Sequence, residues 1–179
     1  EPLSKSNKTI FLEFEDDNLS PEIALNYYLN DNTSVYVAYK KAFKSGGIDN
    51  SALPTASINP LSPTFEGFDA LIYDSEEADG FEIGLKSNLF DNNMRINATY
   101  YKYEYTDLQV QLFDANIIQF STFNAGAVET EGFEADMLWY TDIEGLTLRG
   151  QFAWTDAVNS GDFFNNSGVN LKGSERSYI

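Results

Sequence analysis

Residues Gly80–Val110 read GFEIGLKSNLFDNNMRINATYYKYEYTDLQV, and they limit the fold more than any other stretch of the chain. Phe81, Ile83, Leu85 and Leu89 share one parity, while Glu82, Lys86 and Asn88 hold the other. After a break, Ile96, Ala98 and Tyr100 alternate with Arg95, Asn97 and Thr99. Period-2 alternation is extended chain with one oily and one wet face. Between the runs, Asp91-Asn92-Asn93 tolerates left-handed backbone, so the runs fold back as a hairpin. Tyr100, Tyr101, Tyr103 and Tyr105 make the far end aromatic. A long hairpin with a short polar turn at one end and a tyrosine-rich zone at the other is the pattern of a transmembrane barrel strand pair.

The same pattern recurs along the chain. Ile23, Leu25, Tyr27 and Leu29 alternate with Ala24, Asn26, Tyr28 and Asn30. A turn at Asn30–Thr33 leads into a run with Val35, Val37 and Tyr39 on one parity. Phe133, Ala135, Met137 and Trp139 alternate with Glu134, Asp136 and Leu138. A turn at Thr141–Gly145 leads into Leu146, Leu148, Phe152 and Trp154. Thr9–Phe14 is a candidate short strand. Gly126 and Gly132 mark bulges or a crowded interior.

The connections sort by length. Short ones fall near 30–33, 90–93 and 141–145, and long ones at 44–75, around 107–123 (read as extended strand ends around an outer turn near Asp114–Asn116) and from 157 onward. Pro54, Pro60 and Pro63 keep the first long connection out of any central strand. In an antiparallel meander, all short links lie on one rim and all long links on the other. The expected fold is therefore all-β: about six antiparallel strands of a large transmembrane barrel, with periplasmic turns and extracellular loops. Trp139 belongs near the short-link rim and Trp154 near the opposite one, where interfacial aromatics sit.

Composition removes several function classes. No run approaches the roughly eighteen apolar residues that a spanning helix needs, whereas a barrel strand needs only about 9–11 residues. The chain has no cysteine and no histidine, so Cys- and His-based catalysis and the commonest metal ligand are absent. With 28 acidic against 11 basic residues, the net charge of −17 repels phosphate backbones, and nucleic acid is not an expected partner. Aromatic residues at 15% argue against disorder. The acidic clusters Glu13, Glu15, Asp16, Asp17 and Asp74, Glu76, Glu77, Asp79 read first as solvated loop charge and second as sites for a divalent cation.

Four stretches carry a resemblance: 19–48, 80–110, 124–140 and 145–157, with the motifs Y-K-K-A-F-K-S-G-G, G-F-E-I-G-L-K-S and N-A-G-A-V-E-T-E-G-F-E. In this order they resemble the C-terminal barrel region of TonB-dependent outer-membrane receptors of the iron-complex type. The resemblance implies a barrel of about 22 strands around an N-terminal plug. It implies capture of a ferric siderophore or similar scarce nutrient by outer loops, energised by the TonB complex through the plug. It places the protein in the outer membrane of a Gram-negative bacterium. Residues 1–179 are then expected to be a barrel segment, with plug and remaining strands outside it.

Such transport breaks no bond, so no catalytic residue, resident metal or cofactor is expected, and the protein is not expected to be an enzyme. Candidate ligand contacts are the loop aromatics Phe65, Phe68, Tyr73, Phe120 and Phe123, which suit stacking on a flat chelate. Lys86, Arg95 and Arg149 lie opposite the apolar parity and suit attraction of an anionic chelate. The plainer reading of these cations is pairing with Glu82, Glu134 and Asp136. Two alternatives stay open: a passive porin or adhesin barrel, and a soluble carbohydrate-binding β-sandwich.

Overall fold

The computed structural model describes residues 12–49, 71–114 and 119–161. Its strands are β1 (Glu22–Asn30), β2 (Thr33–Lys44), β3 (Gly47–Ile48), β4 (Ile72–Tyr73), β5 (Glu76–Leu89), β6 (Met94–Asp114), β7 (Gln119–Tyr140) and β8 (Thr147–Asn159). Six of them form one antiparallel sheet in the order β1-β2-β5-β6-β7-β8, and β3 pairs with β4. Every neighbour in the large sheet is the next long strand in sequence, as in an up-and-down meander.

The short turns do what their residues allow. Asp91 (φ 55) and Asn92 (φ 69) take left-handed backbone, and the Asn93 N–H donates to the Phe90 carbonyl at 3.0 Å. Gly145 (φ 78) supplies the same conformation between β7 and β8, where the Thr141 N–H closes onto the Leu146 carbonyl.

Pairing register turns each strand's alternation into rows that cross the whole sheet. One row runs Leu25, Val37, Ile83, Tyr100, Phe133, Trp154. The next, toward the short turns, runs Tyr27, Val35, Leu85, Ala98, Ala135, Phe152. Toward the long connections, the same face changes character at Ile23, Tyr39, Phe81, Lys102, Glu131, Asp156. Beyond that row stand Lys41, Asp79, Glu104 and Glu129. Phe81 to Leu89 spans about 26 Å along the strand at the usual rise, which strand tilt brings to roughly 20 Å, close to the apolar band of an outer-membrane barrel. Trp139 faces Leu148 near the short turns, and Trp154 lies one row below the charged boundary, as expected for an aromatic belt.

This apolar face is uncovered. Phe152 is 59% exposed, Ile83 52%, Leu148 39% and Leu85 36%. Among the described residues the buried apolar set is Ala38, Leu71, Ala125, Val128 and Ala157, too few and too small for the core of a sandwich. The soluble-sandwich alternative is thereby overturned, because its core positions point to the outside of a single sheet. Among the described residues β1 and β8 each pair along one edge only.

The opposite face is polar and closely fitted. A Cβ on Gly84 would collide with the Tyr36 ring, and one on Gly132 with the Tyr101 ring. Tyr36 reaches across to Thr99 at 3.0 Å, and Tyr101 across to Thr155 at 2.8 Å. The device is a tyrosine laid over the glycine of the next strand, with its hydroxyl bonded to the threonine of the strand after. Gly132 is therefore not a bulge; it clears space for a ring.

Two long connections carry strand of their own. Residues 107–114 and 119–123 extend β6 (21 residues) and β7 (22 residues), which pair as far as Asp114↔Gln119. At the usual rise β6 is about 70 Å long, more than twice a bilayer's hydrocarbon thickness, so its outer half stands clear as a two-stranded ribbon. Within 44–75, β3 and β4 form a small hairpin near the wall. Leu12 packs with Ile48 on Leu71, and 12–14 are not in a strand.

Substituting Gly132→Val is expected to destabilise the sheet by about 1–3 kcal/mol, because the Tyr101 ring must be expelled. Urea unfolding in detergent checks this. Leu85→Arg, on the apolar face, is expected to cost about 2–4 kcal/mol of folding into bilayers, while Lys86→Arg on the polar face leaves it unchanged.

Candidate functional site

The sequence-derived candidates fall at the two ends of the wall. Phe65 and Phe68 lie outside the described residues. Tyr73 is in β4 with its ring over Gly47, where a Cβ would stand 2.7 Å from its hydroxyl. Phe120 opens β7 and meets Phe113 of β6 with ring centroids 5.1 Å apart, both half exposed. Phe123 pairs with Val110 on the same ribbon. At the other end, Arg95 and Arg149 flank Leu138 in one row of the polar face. They line a concavity of about 480 Å³ with Asp136 and Gln151. Lys86 and Arg95 line a second, of about 450 Å³, with Tyr28 and Asp31. From Arg95 to Val110 is on the order of 50 Å along β6, so aromatics and cations do not form one site.

Pairing of the cations departs from expectation. Among the described residues, Lys86, Arg95 and Arg149 make no ion pair; Lys86 instead lies 5.5 Å from the centre of the Tyr36 ring. Glu82 is taken by Lys40 (3.0 Å) and accepts the Tyr103 hydroxyl at 2.5 Å. Both Asp136 oxygens accept from Asn97 at 3.0 Å. The acidic clusters are tied into the chain. Asp16 accepts the Gly46 N–H, Glu76 the Gln109 N–H, and Glu77 pairs with Lys41 at 2.8 Å and accepts from Asn18 at 2.8 Å.

The sequence reading passes over the residues that organise the long-connection end. Asn124 Oδ1 accepts the Asp74 N–H at 2.7 Å, and its Nδ2 donates to the carbonyls of Asp74 (2.9 Å) and Asp107 (2.7 Å). Gln109 Nε2 donates to the carbonyls of Ser45 (2.9 Å), Asp74 (3.1 Å) and Lys44 (3.3 Å). Asp49 accepts the Thr122 N–H at 2.6 Å and donates its own N–H to Leu71. Here the β6–β7 ladder skips the pair Asp107–Gly126, and both residues have positive φ (52 and 31). The only sequence signal was the N-A-G motif, whose role no spacing argument reveals.

Beyond the apolar band, hydrogen bonds from Lys41 and Asn18 hold the Glu77 carboxyl below its usual range, and the Glu77 bond holds Lys41 above its own. Together these groups tether the stretch before β1 to β5.

Comparison with known proteins follows this geometry. The family profile described as "TonB dependent receptor-like, beta-barrel" matches residues 4–178. No curated protein matches the chain. Among solved structures, the ferric yersiniabactin uptake receptor FyuA from Yersinia pestis aligns with a TM-score of 0.62 and 18% identity, over 92% of this chain and 21% of that one. The siderophore receptor PiuA from Acinetobacter baumannii gives 0.56 and 20% identity over 86% and 20% of the two chains. The siderophore receptor PirA from Pseudomonas aeruginosa gives 0.57 and 17% identity over 82% and 29%. At these identities the likeness is one of fold, and the chain spans only about a fifth to a third of each receptor.

The Glu77 tether has a signed pH response. A carboxyl depressed in the folded state stabilises it above the unfolded pKa, and that contribution disappears as pH falls through the folded pKa. Hydrogen exchange over residues 16–20 is expected to rise only below the ordinary glutamate range. In Glu77→Gln the rise is expected to be present at neutral pH.

Proposed function

The chain belongs to the TonB-dependent receptor-like β-barrel family, and on that premise we propose that it forms part of the wall of an active-transport receptor in a Gram-negative outer membrane. The observation that carries this is the uninterrupted apolar row from Leu25 to Trp154, exposed on five of its six strands, half-buried at Tyr100, and backed by a polar face. A sheet of that kind is stable against acyl chains on one side and a wet pore on the other. The edges of β1 and β8 that are unpaired among the described residues support further strands on both sides, since hydrocarbon tolerates no unpaired edge. On this reading the plug and the remaining strands belong to the rest of the receptor, and TonB acts through that plug.

The cargo is a ferric siderophore or a similar scarce nutrient. Tyr73, Phe120 and Phe123, with Phe65 and Phe68, serve capture at the extracellular end, where the ribbon stands clear of the membrane. Lys86, Arg95 and Arg149 face the pore near the periplasmic turns, and their lack of ion-pair partners among the described residues suits attraction of an anionic chelate. The protein moves its cargo without a chemical step.

Uptake of ⁵⁵Fe-loaded chelates by cells expressing the full-length receptor tests the reading. Accumulation is expected with TonB and loss of it without. Equal accumulation in the absence of TonB points to a passive pore and sinks the proposal. Arg95→Gln combined with Arg149→Gln is expected to slow uptake of an anionic chelate several-fold at low ionic strength, with the deficit shrinking as salt rises.

A further inference from the structure

We propose that Asn124 and Gln109 are positioning residues for ligand capture: they fasten the backbone of Asp74 to the β6–β7 ribbon and so hold Tyr73 against the ribbon that carries Phe123. The inference rests on the capture role given above to those two aromatics.

Tyr73 immediately precedes Asp74, and Phe123 immediately precedes Asn124. Fixing Asp74 to Asn124 therefore fixes the backbone that carries Tyr73 relative to the ribbon that carries Phe123. Both donors of the Asn124 amide are used, to the carbonyls of Asp74 and Asp107, and its oxygen accepts the Asp74 N–H. In effect the side chain replaces a ladder partner, because it reads both the N–H and the carbonyl of one residue. Its orientation is set by chemistry, since a flipped amide would put NH₂ against the Asp74 N–H.

The fit depends on a local fault in the ribbon. Where Asp107 and Gly126 take positive φ, their pair is missing from the ladder, and the Asp107 carbonyl is left for Asn124. Gln109, one pair beyond Leu108↔Ala125, ties the end of β2 to the same point through Lys44 and Ser45. The Asp49 bond to the Thr122 N–H adds a third stitch one step further out. The segments 45–49 and 71–76 are thus sewn to the ribbon by side chains reading backbone, beside the small cluster of Leu12, Ile48 and Leu71. Such bonds carry geometry but little net energy, which suits a part that must hold a ring in place and not hold the barrel together.

The test uses the full-length receptor in detergent. In Asn124→Ala, amide exchange over 71–76 is expected to rise about tenfold while β5 and β6 within the apolar band stay unchanged. Asn124→Asp keeps the acceptor but loses both donors, and is expected to behave like the alanine variant. Affinity for whichever of ferric yersiniabactin and ferripyoverdine the wild type binds is expected to fall about tenfold. Adding Tyr73→Ala to Asn124→Ala is expected to cost nothing further, because the ring is already misplaced. Unchanged exchange overturns the clamp. Raised exchange with full affinity, or full additivity with Tyr73→Ala, overturns the positioning role. A wild type that binds no ferric chelate overturns the capture reading alone, and the exchange result still decides the clamp.

Discussion

A peptide group in hydrocarbon has no water to bond, so every N–H and C=O that crosses a membrane must find its partner in the protein. The antiparallel ladder from β1 to β8 meets that demand, and the rest of the structure follows from it. Once the register is set, parity is inherited from strand to strand. Ile83 faces Val37 on one side and Tyr100 on the other, and a slip of one residue anywhere would turn Lys86 or Arg95 toward the acyl chains. The register is thus enforced by both faces at once, with charge excluded from one and included on the other.

The polar face is held differently. Its strands are pleated close together without a packed core, and the tyrosine-over-glycine arrangement fills the space that a core would occupy. Tyr36 over Gly84 and Tyr101 over Gly132 each link three strands, because the ring covers one neighbour and the hydroxyl reaches the next. The Lys40–Glu82–Tyr103 group links three strands by charge and hydrogen bond. Among the described residues the cations of the short-turn end, Lys86, Arg95 and Arg149, take no part in this ion pairing.

At the other end the sheet stops being a membrane wall. The apolar face gives way to Lys102, Glu131 and Asp156, and β6 and β7 continue as a ribbon in water. Pairing there is maintained by the ladder, and the neighbouring segments are attached by side-chain amides. The change of method has a physical cause. In hydrocarbon an imperfect pair is prohibitive, whereas in water the skipped Asp107–Gly126 pair costs little and frees a carbonyl for Asn124.

Alternation, turn residues and the sorting of connections by length were enough to determine six strands, their order and the lipid-facing parity. These properties are local: period 2 is carried by a few adjacent residues, and Asp91-Asn92-Asn93 permits only a narrow choice of backbone. What lay between long-separated residues was decided by tertiary structure. Phe120 and Phe123 read as loop aromatics in the sequence, and only the β6–β7 pairing made them ribbon. That the aromatic and cationic candidates stand on the order of 50 Å apart was decided by the length of β6. Asn124 and Gln109 looked like ordinary polar residues, because a side chain that reads the backbone of a residue 35 or 50 positions away leaves no pattern in its own neighbourhood.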